Sequence, residues 1–227
     1  MVGGTSTLVA GLPVTLEIGK RRTFAQAVDW PGWCRAAKGE ERAVATLLVY
    51  ADRYRDAVGS LAGPLGSGAL TATVVERVDG DATTDFGAPG QTVPSDRRPL
   101  LPREPEKLAA FLDACWAAFD RALARVPPAD RPVKPEVGRS PDAMRLHILE
   151  ALRAYASWLA KPVPRTDPDD VGESEVRIRG FVRENVVALP TGVAFEDSKR
   201  TGPYAVRREC WHVLDHAWEL EDRLAPG

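Results

Sequence analysis

Four helical segments after residue 103 constrain this chain most, because each carries an apolar stripe that has to be buried. The periodicity predicts helices over residues 104–125, 141–160, 173–189 and 203–224. Ser140 is a suitable N-cap, and Pro141 suits the first helical position of the second segment. Four helices of roughly 16 to 22 residues suit an antiparallel four-helix bundle. We therefore expect such a bundle over residues 104–227.

The first part of the chain follows a different pattern. Alternating apolar residues predict strands over residues 14–18, 23–28 and 69–78. Helical spacing predicts one amphipathic helix over residues 40–58, and a glycine-rich break follows at 59–68. We expect a small α+β domain over residues 1–78, so that the chain as a whole is an α+β protein. Residues 79–103 are rich in Gly, Pro, Asp and Thr, which predicts a linker or a long surface loop that wraps a neighbour.

Composition argues against several classes of partner. The net charge of -2 gives no general attraction to nucleic acid or to an anionic membrane. No apolar run approaches the roughly 20 residues that span a bilayer, and the first residues lack the basic region of a signal peptide. The three cysteines are odd in number and widely spaced, which argues against a disulfide framework. We expect a cytoplasmic protein that acts on a small molecule.

All three histidines fall in predicted helices of the second part. His212 and His216 are four residues apart, so their imidazoles stack on one face of the last helix. His147 lies in the middle of the second helix of the four, among apolar residues. Facing helices of a bundle can bring such side chains together, and three neutral imidazoles suit Zn, Ni, Fe or Cu. We predict one divalent transition-metal site with an open coordination position.

A simpler interpretation needs no metal. An i, i+4 histidine pair on an exposed helix can be solvated, and His147 can be a hydrogen-bonded core residue. We favour the metal site because the protein has only three histidines and an unpaired buried imidazole is costly.

The order and spacing of these histidines resemble those of the DinB-like (YfiT-like) metal-dependent four-helix bundles, over about residues 104–224. His147 matches the family's histidine on the second helix, and His212 and His216 match the H-x3-H pair on the fourth. The resemblance implies a three-histidine metal site. It also implies a transferase or isomerase that uses a low-molecular-weight thiol such as mycothiol, bacillithiol or glutathione. Related bundles often form homodimers.

Two carboxylates flank the histidines on the last helix. Glu209 and Glu219 lie three residues outside the pair, where either could orient an imidazole or act as a base. The alternative is a solvated acidic stretch, which we favour for Glu221 and Asp222. Asp215 should point elsewhere.

Three further residues of the last helix are interpreted without a role in catalysis. Arg207 and Arg208 could receive an anionic substrate, but we interpret them as surface charges. Cys210 lies roughly opposite His212 on the helix, and we do not count it as a ligand.

A second resemblance covers about 60 residues of the first part. The run from Trp30 to Cys34 followed by Gly39, Glu40 and Glu41 is similar to the strand, Pro-Gly-Cys turn and helix start of HicB-type antitoxins. It implies a small α+β fold and no reaction, because the DNA-binding tail of that family is missing. We interpret Cys34 as structural, and we expect Trp30 and Trp33 to pack on the bundle.

The sequence thus leads to a metal-dependent enzyme, a thiol transferase or a hydrolase, in which metal-bound water or thiol is the nucleophile. One alternative is a non-catalytic stress-response module in which any metal is structural. Another is a regulator that binds a protein partner through its first domain.

Overall fold

A computed structural model describes residues 11–130, 138–167, 169–196 and 199–224. Within these ranges the protein is an α+β protein with one four-stranded sheet and seven α-helices. No helix in the described ranges combines the length and the hydropathy that crossing a bilayer requires. The predicted fold class is therefore confirmed at the level of α+β.

The sheet is built in the first part of the chain. Its strands are β1 (Leu12–Ile18), β2 (Thr23–Ala27), β3 (Cys34–Ala37) and β4 (Ala72–Asp79), in the order β3-β2-β1-β4. β1, β2 and β3 pair antiparallel, whereas β4 lies parallel to β1. A parallel neighbour requires a long crossover connection, and the two helices between β3 and β4 supply it. The three predicted strands are confirmed.

The helix predicted over residues 40–58 is wrong in one respect, because it is two helices. α1 (Glu40–Val49) and α2 (Ala51–Val58) meet at Tyr50, where φ and ψ are -83° and 5°. The Tyr50 ring lies 5.0 Å from the ring of Trp218 and stacks under the guanidinium of Arg35 at 4.2 Å. These tertiary contacts hold Tyr50 at the break, which helical periodicity alone does not reveal.

Residues 79–103 contain more order than their composition predicts. Asp81 caps a short helix, α3 (Ala82–Phe86), and a 3₁₀ turn follows at Pro94–Asp96. The carboxylate of Glu17, buried in β1, accepts hydrogen bonds from the Thr84 hydroxyl and the backbone N–H groups of Gly90 and Gln91. The segment is therefore fastened to the sheet.

Four long helices follow: α4 (Glu104–Ala124), α5 (Pro141–Ala156), α6 (Val171–Val187) and α7 (Gly202–Leu224). Their predicted positions are confirmed, although α5 ends four residues before the predicted end. Ser140 caps α5 by accepting the Ala143 N–H at 3.2 Å, as its sequence position predicts. α4 and α5 each pack against both α6 and α7.

The sheet and the long helices share buried apolar residues. The turn between β2 and β3 presses on α7 at Gly32, where φ is +89° and a Cβ would lie 3.0 Å from the Cβ of Cys210. Trp30 reaches α4, with its ring 6.0 Å from that of Phe111. Trp33 instead stacks on Tyr54 of α2 at 5.0 Å. This packing fixes one face of α7 and leaves another to face α5.

Candidate metal centre

The three histidines converge between α5 and α7. His147 projects from α5, and His212 and His216 project from adjacent turns of α7. One nitrogen from each ring lies within 4.8 Å of the others, and the Nε2 atoms of His147 and His212 are 3.2 Å apart. The helix spacing supplies the α7 pair, and the packing of α5 on α7 supplies the third imidazole.

These distances fit a shared cation. Imidazole nitrogens lie 2.0–2.1 Å from zinc, so two of them on a tetrahedral ion are about 3.3 Å apart. The separation of 3.2 Å between His147 and His212 is close to that value. The cluster could therefore hold one metal ion with small side-chain adjustments.

Burial keeps at least two of the imidazoles neutral. It lowers the pKa of His212 well below the usual range, and the neighbouring His216 and His147 lower it further. Burial also lowers the pKa of His147, with a smaller contribution from the charge of Arg139. A neutral imidazole has a free lone pair, which a metal ion requires of its ligand. Because these pKa values are lowered, protons compete little with a metal ion for the imidazoles at neutral pH.

Glu219 contacts the cluster as the sequence suggested. Its Oε2 lies 2.9 Å from Nδ1 of His216, and its other oxygen pairs with Arg223. The His216 hydrogen bond is the main reason that the pKa of Glu219 lies below the usual range. An ionised carboxylate on Nδ1 orients the ring and leaves Nε2 for a ligand, as in carboxylate–histidine–metal arrangements.

Glu209 lies elsewhere. It is 1% exposed and accepts a hydrogen bond from the indole N–H of Trp116 at 3.3 Å. Burial raises the pKa of Glu209 to about 8, against the opposing effects of Trp116 and Arg179. The second carboxyl oxygen and Nδ1 of His212 are both buried without a hydrogen-bond partner among the described residues. Glu209 is thus a buried carboxylic acid one turn before His212, with no direct bond to a histidine in the described structure.

The other acidic residues of α7 make ion pairs away from the cluster. Asp215 pairs with Arg35 at 2.7 Å. Glu221 and Asp222 pair with Arg53 at 2.8 and 2.9 Å. The structure confirms that Asp215 points elsewhere. Glu221 and Asp222 contact Arg53 and not the histidines.

Cys34 and Cys210 lie in environments typical of structural cysteines. Cys34 and Cys210 are buried, and burial raises the pKa of both thiols above the usual range. A neutral, inaccessible thiol is a poor nucleophile and a poor ligand. The interpretation of Cys34 as structural and the omission of Cys210 from the ligand set agree with this environment.

The interpretation of Arg207 and Arg208 as surface charges is wrong. Both are buried, at 7% and 9% exposure. Arg207 forms a two-pronged ion pair with Asp96 and also donates to Gln26. The segment before α4 folds over the start of α7 and covers both side chains, and local sequence did not reveal that cover.

Sequence reasoning also missed an aromatic residue beside the cluster. The ring of Tyr155 on α5 lies 6.1 Å from the His212 ring, and the Arg208 guanidinium lies 5.5 Å from Tyr155. Tyr155 follows His147 by eight residues on the same helix. The signal in the sequence is this spacing, which places Tyr155 about two helical turns after the predicted ligand His147.

The chain matches no protein-family model, no curated protein and no solved structure. The residues of the cluster and its surroundings therefore carry the functional argument.

Proposed function

We propose that His147, His212 and His216 hold one divalent transition metal and that the chain is a metal-dependent enzyme. The observation that carries this proposal is the convergence of three imidazoles from two helices, with nitrogens within 4.8 Å of one another. The donor set suits Zn, Ni or Fe, and three protein ligands leave a position for water or substrate. When bound, such an ion lowers the pKa of a coordinated water or thiol and so supplies a nucleophile at neutral pH.

The surrounding residues have distinct tasks in this proposal. Glu219 fixes the ring of His216 through Nδ1. Glu209 keeps a proton at neutral pH because it is buried beside Trp116. Tyr155 forms one wall beside His212. His147 is the least enclosed of the three ligands, so its side of the cluster is the entry for a substrate.

We further propose that α4 to α7 form an antiparallel four-helix bundle of the DinB-like class. The contacts of α4 and α5 with both α6 and α7 support this arrangement. The placement of one histidine on the second of these helices and two on the fourth supports it as well. On this basis the reaction is thiol transfer or hydrolysis, and a low-molecular-weight thiol of the mycothiol or bacillithiol type is the co-substrate. A homodimer stays a prediction.

Metal content tests the first step. The chain is purified with a removable tag, the tag is cut off, and bound metal is measured by inductively coupled plasma mass spectrometry after incubation with Zn, Ni or Fe(II). We expect near one equivalent of metal, lost in His212→Ala with helicity retained by circular dichroism. Asp222→Ala, an exposed change on the same helix, is the matched control and should keep its metal. Unchanged metal content in His212→Ala would refute the site.

Turnover tests the second step. Thiol-transfer and ester-hydrolysis assays are run with the metal that binds, and activity should disappear in His212→Ala. A protein that binds metal stoichiometrically but turns over no thiol conjugate or ester would favour the non-catalytic module.

A further inference from the structure

A cleft of about 330 Å³ lies beside the histidine cluster. Its walls come from the end of α5, the start of α7, the segment after β4 and the residues just before α7. The side chains that matter here are Tyr155, Trp158, Lys199, Arg200, Tyr204 and Arg208. The volume is in the range of small-molecule sites.

An aromatic stack forms one wall and carries a cation on its end. Trp158 stacks on Tyr204 with ring centroids 5.5 Å apart and planes inclined by 19°. The Arg200 guanidinium lies 4.2 Å from the centroid of the Trp158 ring. Stacking on Trp158 holds the Arg200 guanidinium, and with it one positive charge, at the edge of the cleft.

Arg208 also lines the cleft, and it differs from Arg207 in lacking a carboxylate partner among the described residues. Arg207 is matched by the carboxylate of Asp96 at 2.6 Å. Arg208 is as deeply buried, yet no carboxylate of the described residues lies within 4.0 Å of it. Arg208 donates to the Pro89 carbonyl at 2.8 Å, lies against the rings of Tyr155 and Trp211, and hydrogen-bonds the Tyr155 side chain. A buried guanidinium without a counter-charge is costly, and an anionic ligand would remove that cost.

The cleft has a positive excess. Among the described residues, Arg97, Lys199, Arg200 and Arg208 line it, together with one carboxylate, that of Asp81. The Asp81 carboxylate caps α3, accepting the Thr83 N–H at 2.7 Å, which directs it toward the helix end. Clefts lined by one sign of charge concentrate ligands of the opposite sign.

The cleft and the histidine cluster share a wall. Arg208 precedes His212 by four residues, about 6 Å along the helix axis. Tyr155 contacts both, since its ring lies 6.1 Å from that of His212 and it lines the cleft. Arg208 and the histidine cluster therefore lie about one helical turn apart on α7, with Tyr155 beside both.

We propose that this cleft binds the carboxylate or phosphate group of a small organic anion, with Arg208 as the principal contact and Lys199 and Arg200 as the outer contacts. Binding of the anion rests on the cleft alone. Its identity as the substrate subsite of the histidine cluster rests on the proposed function.

Isothermal titration calorimetry with succinate and with inorganic phosphate tests the proposal on the full chain, metal-free and zinc-loaded. We expect about one equivalent of at least one anion to bind, and added NaCl to weaken binding. Arg208→Gln should weaken it at least about tenfold, which corresponds to about 1.4 kcal/mol. Preference for succinate identifies a carboxylate ligand, and preference for phosphate a phosphorylated one. Absence of binding of both anions up to about 10 mM would overturn the proposal.

Two further variants keep the test decisive if Arg208→Gln fails to fold. The double change Lys199→Gln and Arg200→Gln alters only exposed side chains and should also weaken binding. The matched control Arg42→Gln removes an exposed cation on α1, outside the cleft, and should leave binding unchanged. Equal affinity in the double variant and the control would overturn the proposal. Anion binding by protein that takes up no metal would refute the metal centre alone, and metal uptake without anion binding would refute the cleft alone.

Discussion

Glu209 makes stability depend on pH in a direction unusual for a carboxylate. Its pKa in the folded protein is about 8, because burial opposes the charged form. In the unfolded chain a glutamate has a pKa of about 4.3. The folded state therefore holds a proton that the unfolded state releases between these values. The stability that this proton contributes is fully present below about pH 4.3 and is lost as the pH rises toward about 8.

The size of the effect follows from the same difference. Each pH unit inside the window removes about 1.4 kcal/mol of unfolding free energy. Between about pH 5 and pH 7.5 the loss is on the order of 3 kcal/mol. Glu209→Gln replaces the protonated acid by a neutral group of similar shape that can still accept the Trp116 N–H. The variant should therefore lack this loss and become more stable than the parent protein as the pH rises.

Urea unfolding, followed by tryptophan fluorescence across this pH range in the presence of a chelator, measures the difference. The chelator is needed because metal binding to the histidines is itself pH-dependent. His147 and His212 have lowered pKa values, so the stability that their neutral imidazoles contribute is fully present above the usual histidine pKa. It is lost as the pH falls from that value toward the lowered pKa values, in parent and variant alike. Subtracting the two curves isolates Glu209. In the exposed control Glu106→Gln, the free energy of unfolding should change with pH in parallel with that of the parent protein. The same parallel change in Glu209→Gln would refute the assignment of a buried neutral acid.

Three further predictions concern the metal centre, the buried ion pair and the turn between β2 and β3 that packs against α7. Glu219→Gln should weaken metal binding about 10- to 100-fold, because the hydrogen-bond partner of His216 Nδ1 is altered. Competition with a chromophoric chelator measures the affinity, and an unchanged affinity would argue against an orienting role for Glu219. Asp96→Ala should lower the unfolding free energy by about 3–5 kcal/mol in urea, because Arg207 loses its buried counter-charge; a loss below about 1 kcal/mol would contradict this. Gly32→Ala should cost more than about 1 kcal/mol, since φ is +89° and the Cβ would press on Cys210; a thermal midpoint equal to that of the parent would show that the turn relaxes freely.

The sequence by itself determined three of the strands, the four long helices and the first half of the site. The period of apolar residues placed the strands and the four long helices, because a buried face repeats every two residues in a strand and about every 3.6 in a helix. The four-residue spacing of His212 and His216 likewise follows from helix geometry alone. These features are local, so a window of a few turns contains all the information.

Only the tertiary structure decided which faces meet. The approach of His147 to the α7 pair depends on how α5 packs on α7, and the break at Tyr50 accompanies contacts with Trp218 and Arg35. The burial of Arg207 and Arg208 depends on a segment that folds back over α7 from more than a hundred residues earlier in the chain. Local pattern cannot reveal such cover, because a buried arginine and a solvated one have the same side chain. They differ in the partners that the rest of the chain brings to them, which for Arg207 is the carboxylate of Asp96 and for Arg208 is the carbonyl of Pro89.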